Sequence, residues 1–473
     1  MNLVEILSKY ESTGDKEDIS VVGSTEGIEI RGLSFDSREA QTGSIFFCIS
    51  GETDDGHEYA NQAIENGAVA IVAEKQLVVP VPQIIVQNSR EAMAYISCIY
   101  FDFPSREIDV IGVTGTNGKT TTTQVITAIL NNAGILSRSI GTLTGVLTTP
   151  EAPALQAKFR SFVDSGIQSV VMEVSSHALS QHRVTGTEFD VGVFTNLSQD
   201  HLDYHKEMEK YFEAKSSLFK AQKCRSAVVN VDDPFGLRLV EQIDIETCEV
   251  SPSSVDVKEE SFAGSSFIWR DREVKLQVSG KFNIENALLA ASTCLLLGVD
   301  ETQIVNGLEA SKPVPGRFEV VNDHSESPIV IVDYSHTPAG IENVLQAVRR
   351  IAPKARLTVV FGCGGNRDRS KRPEMARAAE MYADRVVITS DNPRFEDPRK
   401  IIQEAMSGFD DTDSVVVEED RGAAIQFAIE SSNPDEVIVI AGKGAETVQE
   451  IRGKVRSFDD RVIALAALQG GKE

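Results

Sequence analysis

The chain has 473 residues, 41% of them hydrophobic and 25% charged, an ordinary globular composition that excludes a disordered chain. Lysine and arginine total 46 against 71 aspartate and glutamate, a formal net charge of -25. That field repels nucleic acid and anionic membrane surfaces, so neither is an expected partner, and any polyanion must meet a local cluster of donors.

At about 100–200 residues per domain, the length suggests two to four domains. Leu3, Val4, Ile6 and Leu7 open the chain at helical spacing, without the basic-then-apolar order of a signal peptide. No stretch of roughly 18 apolar residues is present, so no membrane insertion is expected. Cys48, Cys98, Cys224, Cys248, Cys294 and Cys363 are scattered with no C-x-x-C pair. They read as reduced, buried thiols, and the chain as cytoplasmic.

Short β-branched runs bounded by Gly or Pro predict strands at Ser44–Ile49, Val69–Ala73 and Ile84–Val86, with a helix over Tyr59–Gly67. The theme repeats at Val110–Thr114, Val170–Val174 and Val191–Asn196, then at Ile329–Asp333, Leu357–Phe361, Arg385–Ser390 and Val437–Ala441. Strands alternating with helices predict an α/β protein with mainly parallel sheets. Breaks at Phe103-Pro104-Ser105 and Lys312-Pro313-Val314-Pro315-Gly316 divide the chain into expected domains 1–105, 106–314 and 315–473. The acidic, serine-rich stretch Glu246–Ser261 reads as a solvated excursion from the middle block.

The strongest motif starts at Ile108 and runs along strand Val110–Thr114 through Gly115, Thr116, Asn117 and Gly118 into Lys119, Thr120 and Thr121, with helical sequence over Thr122–Leu130. Glycines let backbone N–H groups wrap phosphates, and the helix N-terminus adds positive partial charge. Lys119 would reach the outer phosphates of a nucleotide and the Thr120 hydroxyl would meet Mg²⁺. The spelling departs from G-x-x-x-x-G-K-[ST], because the first glycine falls at 112 and Val stands at 113. Glu173 closes a buried apolar strand, where a carboxylate is costly without a cation, and is a candidate Mg²⁺ ligand. The segment Thr195–His205 follows another strand and opens at the edge where α/β sheets place ligands. Lys215, on a helix, is unremarkable by itself.

Taken in this order, the motifs resemble those of the Mur ligases, ATP-dependent amide ligases that build the peptidoglycan stem peptide. The resemblance covers essentially the whole chain. It implies a Rossmann-like N-terminal UDP-binding domain, a central P-loop ATPase domain and a Rossmann-like C-terminal domain. His201, in Asp200-His201-Leu202-Asp203, is then the expected ligand of a second Mg²⁺. Lys215, in the Y-x-x-A-K-x-x-L-F helix, is the expected site of a CO₂-derived carbamate (N6-carboxylysine), an anionic oxygen ligand where an ammonium would repel the metal.

For a UDP-MurNAc-dipeptide, the resemblance points to Ser37 within Asp36-Ser37-Arg38 and to Glu52, Thr53 and Asp54 in a second loop. Thr148, Thr149, Ser175, Gln181 and Arg183 match the remaining contacts, with Leu147 where some relatives carry asparagine. For ATP it adds Asn283, Asn286, Arg317, Asp333 and His336. For the incoming amino acid it points to Arg367, the tetrapeptide Asp391, Asn392, Pro393 and Arg394, and then Gly442 and Glu446. D-N-P-R is the family's signature for meso-diaminopimelate. Ala445 replaces a usual histidine and Asn366 a frequent aspartate, so L-lysine stands as the alternative substrate. Another ligase of the superfamily, of the folylpolyglutamate synthase type, and a non-catalytic nucleotide-binding scaffold are the competing functions. The expected partners are these small molecules alone, with the chain a monomer.

Overall fold

The computed structural model describes residues 1–12, 19–51, 54–322 and 327–470. Its first sheet holds β1 (Ser20–Val22), β2 (Gly32–Ser34), β3 (Ser44–Phe47), β4 (Ala68–Ala73) and β5 (Gln83–Ile85) in the order β1-β5-β4-β3-β2. Only the β1–β5 pair is antiparallel. The near-continuous apolar run of β4 is what a parallel strand covered on both faces requires.

The central sheet contains β6 (Asp109–Thr114), β7 (Ser137–Ile140), β8 (Ser169–Glu173), β9 (Phe189–Phe194), β10 (Cys224–Asn230) and β11 (Glu246–Val250). All its pairs are parallel, in the order β11-β10-β9-β6-β8-β7. Helix Lys119–Asn132 follows β6 and buries Ile126, Ile129 and Leu130 against Ile284 and Leu288 of helix Lys281–Leu296. A small antiparallel sheet of β12 (Val257–Ser261), β13 (Gly264–Trp269) and β14 (Arg272–Leu276) closes over this cluster with Phe267 and Val274.

The third sheet is built from β15 (Glu319–Val320), β16 (Ile329–Asp333), β17 (Leu357–Cys363), β18 (Arg385–Ser390), β19 (Val415–Val417) and β20 (Val437–Ala441). Its order is β15-β16-β20-β17-β18-β19, antiparallel only at β15–β16. A hairpin of β21 (Val448–Ile451) and β22 (Lys454–Ser457) stands beside it. Among the described residues no helix is long and apolar enough to cross a membrane. Among the described residues the six cysteines form no disulfide, and all but the half-buried Cys248 are buried.

Two expectations need correction. Glu246–Ser261 is not a plain excursion: its first part is edge strand β11 and its last part is β12. β12 is largely exposed and β11 is only part-buried at the sheet edge, so polar residues are tolerated and the apolar alternation that marks a strand is missing. The helix after the glycine turn begins at Lys119, ahead of the apolar pattern, because its first turn carries Lys and Thr for the turn rather than for the core.

The topology places chemistry at two edges. β9, β6 and β8 are neighbours, so the segments after Phe194, Thr114 and Glu173 emerge side by side. In the third sheet β16, β20, β17 and β18 are neighbours, which groups the ends at Asp333, Ala441, Cys363 and Ser390. Open α/β sheets bind ligands at such carboxyl ends.

Candidate active site

The glycine turn after β6 is shaped by its neighbours. Gly115 has φ +148 and a Cβ there would lie 1.8 Å from Thr195 Oγ1, while Gly118, at φ +86, would meet Asn286 Oδ1 at 2.4 Å. Only glycine fits at either position. The Asn117 N–H donates to Asn196 Oδ1 at 3.0 Å, and Thr116 Oγ1 lies 3.2 Å from the Tyr211 hydroxyl.

Two lysines converge on this turn. Lys119 Nζ donates to the carbonyls of Gly115 at 2.8 Å and Thr116 at 2.9 Å, and Lys215 Nζ donates to Gly115 O at 2.7 Å. Lys215 is 1% exposed. Burial, then the neighbouring Lys119 charge, push its ammonium well below the ordinary lysine range. Burial also lowers Lys119, against the opposing pull of Glu173 and Asp200.

Glu173, at the end of β8, is 1% exposed. Its Oε2 accepts from Thr120 Oγ1 at 3.0 Å and its Oε1 from the Thr142 N–H at 2.8 Å. Arg317, in the linker to the third sheet, donates to Thr120 Oγ1 at 3.0 Å and lies 4.1 Å over the Tyr334 ring. His201 sits in the left-handed region at φ 56 with Nε2 3.3 Å from Asp200 Oδ2. Burial pushes the His201 imidazole down to about 3, so at neutral pH it is an uncharged nitrogen donor.

These donors fit a divalent cation. Among the described residues no three His, Cys, Asp or Glu side chains form a ready cage. A Mg²⁺ bound by one carboxylate, a hydroxyl and substrate phosphates does not need one. Lys215 also fits a carbamate, because CO₂ adds only to a neutral amine and burial favours that form.

Asp200 ties the central sheet to the third. Its Oδ1 accepts from Lys371 Nζ at 3.1 Å, and His336 Nε2 lies 3.6 Å from Oδ2. Burial raises its carboxyl, but the His336 and Lys371 contacts outweigh this and hold it well below the usual range. Asp333, which ends β16, accepts from the Phe318 N–H at 2.7 Å and the Ser335 N–H at 2.8 Å.

At the third sheet, Arg394 is held at φ 53, its N–H donating to Glu450 O at 3.1 Å and its Nη1 to Gly365 O at 2.7 Å. A non-glycine residue in that conformation is strain that the hairpin β21–β22 must hold. Asn392 Nδ2 donates to Glu446 Oε2 at 2.9 Å. The fully buried Lys443 donates to the same oxygen at 2.8 Å and to Asn392 Oδ1 at 3.2 Å. Pro393 packs where Gly365 leaves room, since a Cβ there would lie 2.0 Å from Pro393 O.

One cavity of about 360 Å³ gathers most of these groups. It is lined by Thr116–Thr121, Glu173, His201, Lys215, Asn286 and Arg317, and across from them by Asp333, His336, Arg367, Asp391, Asn392, Arg394, Gly442 and Glu446. Thr148 and Ser175 line it too. Asn283 instead faces an adjoining small cavity with Thr121 and Arg317. Thr149, Gln181 and Arg183 form a bonded group behind Ser175: Thr149 Oγ1 accepts from the Ser175 N–H at 3.1 Å, while Arg183 donates to Thr149 O at 3.0 Å and Gln181 Oε1 at 2.7 Å. Ser37 and Asp54 belong to the first sheet's region, away from the cavity lining, and Ser37 Oγ donates to Gln62 Oε1 at 2.8 Å. Glu52 and Thr53 lie outside the described residues.

Comparison with known proteins gives the same picture. Three family models match: "Mur ligase family, catalytic domain" over residues 29–100, "Mur ligase middle domain" over 113–294 and "Mur ligase, glutamate ligase domain" over 316–444. The UDP-N-acetylmuramoyl-L-alanyl-D-glutamate--2,6-diaminopimelate ligase of Geobacillus thermodenitrificans is 45% identical, over 93% of this chain and 95% of the relative. The chain belongs to the Mur ligase family. A solved structure of a UDP-N-acetylmuramoyl-L-alanyl-D-glutamate--2,6-diaminopimelate ligase superposes with a TM-score of 0.65 at 31% identity, covering 95% of this chain and 97% of the other. A MurF ligase from Thermotoga maritima, solved with ADP, has a TM-score of 0.64 at 19% identity over 94% and 99% of the chains, a likeness of fold.

Within this Mur ligase, sequence reasoning gave no role to Lys371 or to the bridging part of Asp200, and set Lys443 aside as a weak Gly442-Lys443-Gly444 phosphate-loop signal without the full spacing. A lysine on a helix or in a glycine-rich loop is ordinarily solvated, and only the packing of distant segments buries these two.

Proposed function

We propose that this Mur ligase adds meso-2,6-diaminopimelate to UDP-MurNAc-L-Ala-D-Glu with cleavage of ATP to ADP and phosphate, in peptidoglycan precursor synthesis. The domains divide at residues 105 and 314, with the cavity lying between the second and third. The observation that carries the reading is that one cavity joins the glycine turn, Glu173 and Lys215 to Arg394 and Glu446. ATP and an amino acid with a charged far end can therefore meet there.

Two anions must approach, the triphosphate and the D-glutamate side-chain carboxylate, so the work is charge neutralisation and alignment. The glycine-turn N–H groups and Lys119 hold the phosphates, and Arg317 reaches them from the linker. Glu173, Thr120, His201 and carbamylated Lys215 would hold Mg²⁺, which supplies positive charge at the transferring phosphoryl. The carboxylate oxygen attacks the γ-phosphorus and ADP leaves, giving an acyl phosphate. The amine then attacks the carbonyl carbon, loses a proton, and phosphate departs with the former carboxylate oxygen. Arg394 pairs with the far carboxylate of diaminopimelate, and Glu446 Oε1 takes its ammonium while Oε2 stays anchored.

ADP release with the UDP-dipeptide acceptor, meso-diaminopimelate and L-lysine compared side by side, tests the reading. It predicts release with diaminopimelate at about a hundredfold or more higher kcat/KM than with lysine. Equal use of lysine, or release without the acceptor, would overturn it.

A further inference from the structure

Behind the amino-acid end of the cavity lies an ion pair that none of the chemistry above uses. Arg421, the first residue of helix Arg421–Glu430, and Asp460, the first of helix Asp460–Gly470, are both 0% exposed. Arg421 Nε donates to Asp460 Oδ1 at 2.8 Å and Nη2 to Oδ2 at 2.6 Å, a two-point pairing. The rest of the guanidinium reaches backbone. Nη2 donates to Ala441 O at 3.0 Å and Nη1 to Ser390 O at 3.4 Å.

Those two carbonyls are the last of β20 and β18. Each is paired on one side only, Ala441 with Asp333 of β16 and Ser390 with Cys363 of β17, and lies past the last pair on the other side, Val360–Ile440 and Ile388–Val417. The next residues along the chain are Gly442 and Asp391. These two touch: a Cβ on Gly442, at φ +119, would lie 2.7 Å from Asp391 Oδ2. From them run the two segments that meet again through Lys443, Asn392 and Glu446.

We propose that Arg421, held by Asp460, is a positioning residue for amino-acid recognition, fixing the points at which Asp391–Arg394 and Gly442–Glu446 leave the sheet. The inference rests on the substrate reading above. An arginine suits the task because one rigid fork spans a carboxylate and two carbonyls from separate strands, whereas a lysine ammonium is a single point. A buried pair of this kind adds little net stability over an apolar replacement, so its worth lies in the geometry it fixes.

Two variants test it. Arg421→Lys keeps a cation beside Asp460 but cannot span both carbonyls. R421M/D460L removes both charges and leaves neither buried alone. In each, the KM for diaminopimelate should rise about tenfold, while those for ATP and the UDP-dipeptide stay within about twofold. Amide hydrogen exchange should quicken at residues 391–394 and 442–446 and not at 115–121, a readout that needs no turnover. An unchanged diaminopimelate KM in a folded variant, or all three KM values rising together, would overturn the positioning role. Wild-type protein that released no ADP with either amine would fail the substrate reading instead, and the exchange pattern would still decide the role of Arg421.

Discussion

Lys119 and Lys215 share one acceptor, the carbonyl oxygen of Gly115, at 2.8 and 2.7 Å. Two ammonium groups so placed repel each other, and burial together with the Lys119 charge lowers Lys215 well below the ordinary lysine range, which favours its neutral form. A neutral amine there is ready to take up CO₂. With ¹³C-bicarbonate, the wild type should show a carbamate carbon resonance that Lys215→Arg lacks. Lys215→Ala should lose activity by about a thousandfold or more, with bicarbonate unable to restore it. Full activity in that variant would refute the role.

Arg317 joins the sheets through the Thr120 hydroxyl, so its loss should be felt in the ATP half of the reaction. Arg317→Ala should lower kcat by about a hundredfold. Its KM for diaminopimelate should hold within about twofold. Steady-state kinetics with each substrate varied in turn checks the split.

Asp200 and Lys371 are each buried and paired across the two larger sheets. Asp200→Ala strands the Lys371 ammonium and should cost about 3–5 kcal/mol of stability. D200N/K371M should recover much of that stability without recovering turnover, because the charged pair that ties Asp200 beside His201 to the third sheet is gone. Thermal unfolding and ADP release on the same samples separate the two effects.

Arg394 is the only cation of the D-N-P-R segment, and its planar fork matches a carboxylate. Arg394→Ala should raise KM for meso-diaminopimelate by about a hundredfold while barely altering that for L-lysine. A parallel loss for both amines would show that the arginine only supports the loop.

Glu396 governs an acid limb of stability. Its hydrogen bonds with Arg372, with the Asn366 N–H adding to them, lower its carboxyl from 4.5 to about 2. Its stabilisation is therefore complete above pH 4.5 and lost as pH falls through about 2. Glu396→Gln should be less stable at neutral pH and show a flatter decline between those limits. Melting temperatures measured across the range test this.

Much of this was legible in the sequence, for physical reasons that differ by residue. The glycine turn and Lys119 were readable because backbone conformation and phosphate chemistry both dictate residue type there. Glu173 was readable because a carboxylate ending an apolar strand demands a partner. Lys215 and His201 carried no such local signal and were found through resemblance. Lys371 and Arg421 were not found and Lys443 was set aside, since their burial depends on which strands become neighbours and on nothing within a few residues of them. Strand β11 was missed because a part-buried edge does not require the apolar alternation by which strands are recognised.

In the mechanism proposed above, gathered positive groups let the D-glutamate carboxylate take the γ-phosphoryl group before the amine arrives. Acceptor labelled with ¹⁸O in that carboxylate tests it most directly. One ¹⁸O is expected in each phosphate released with the amide product. Released phosphate free of label would contradict it.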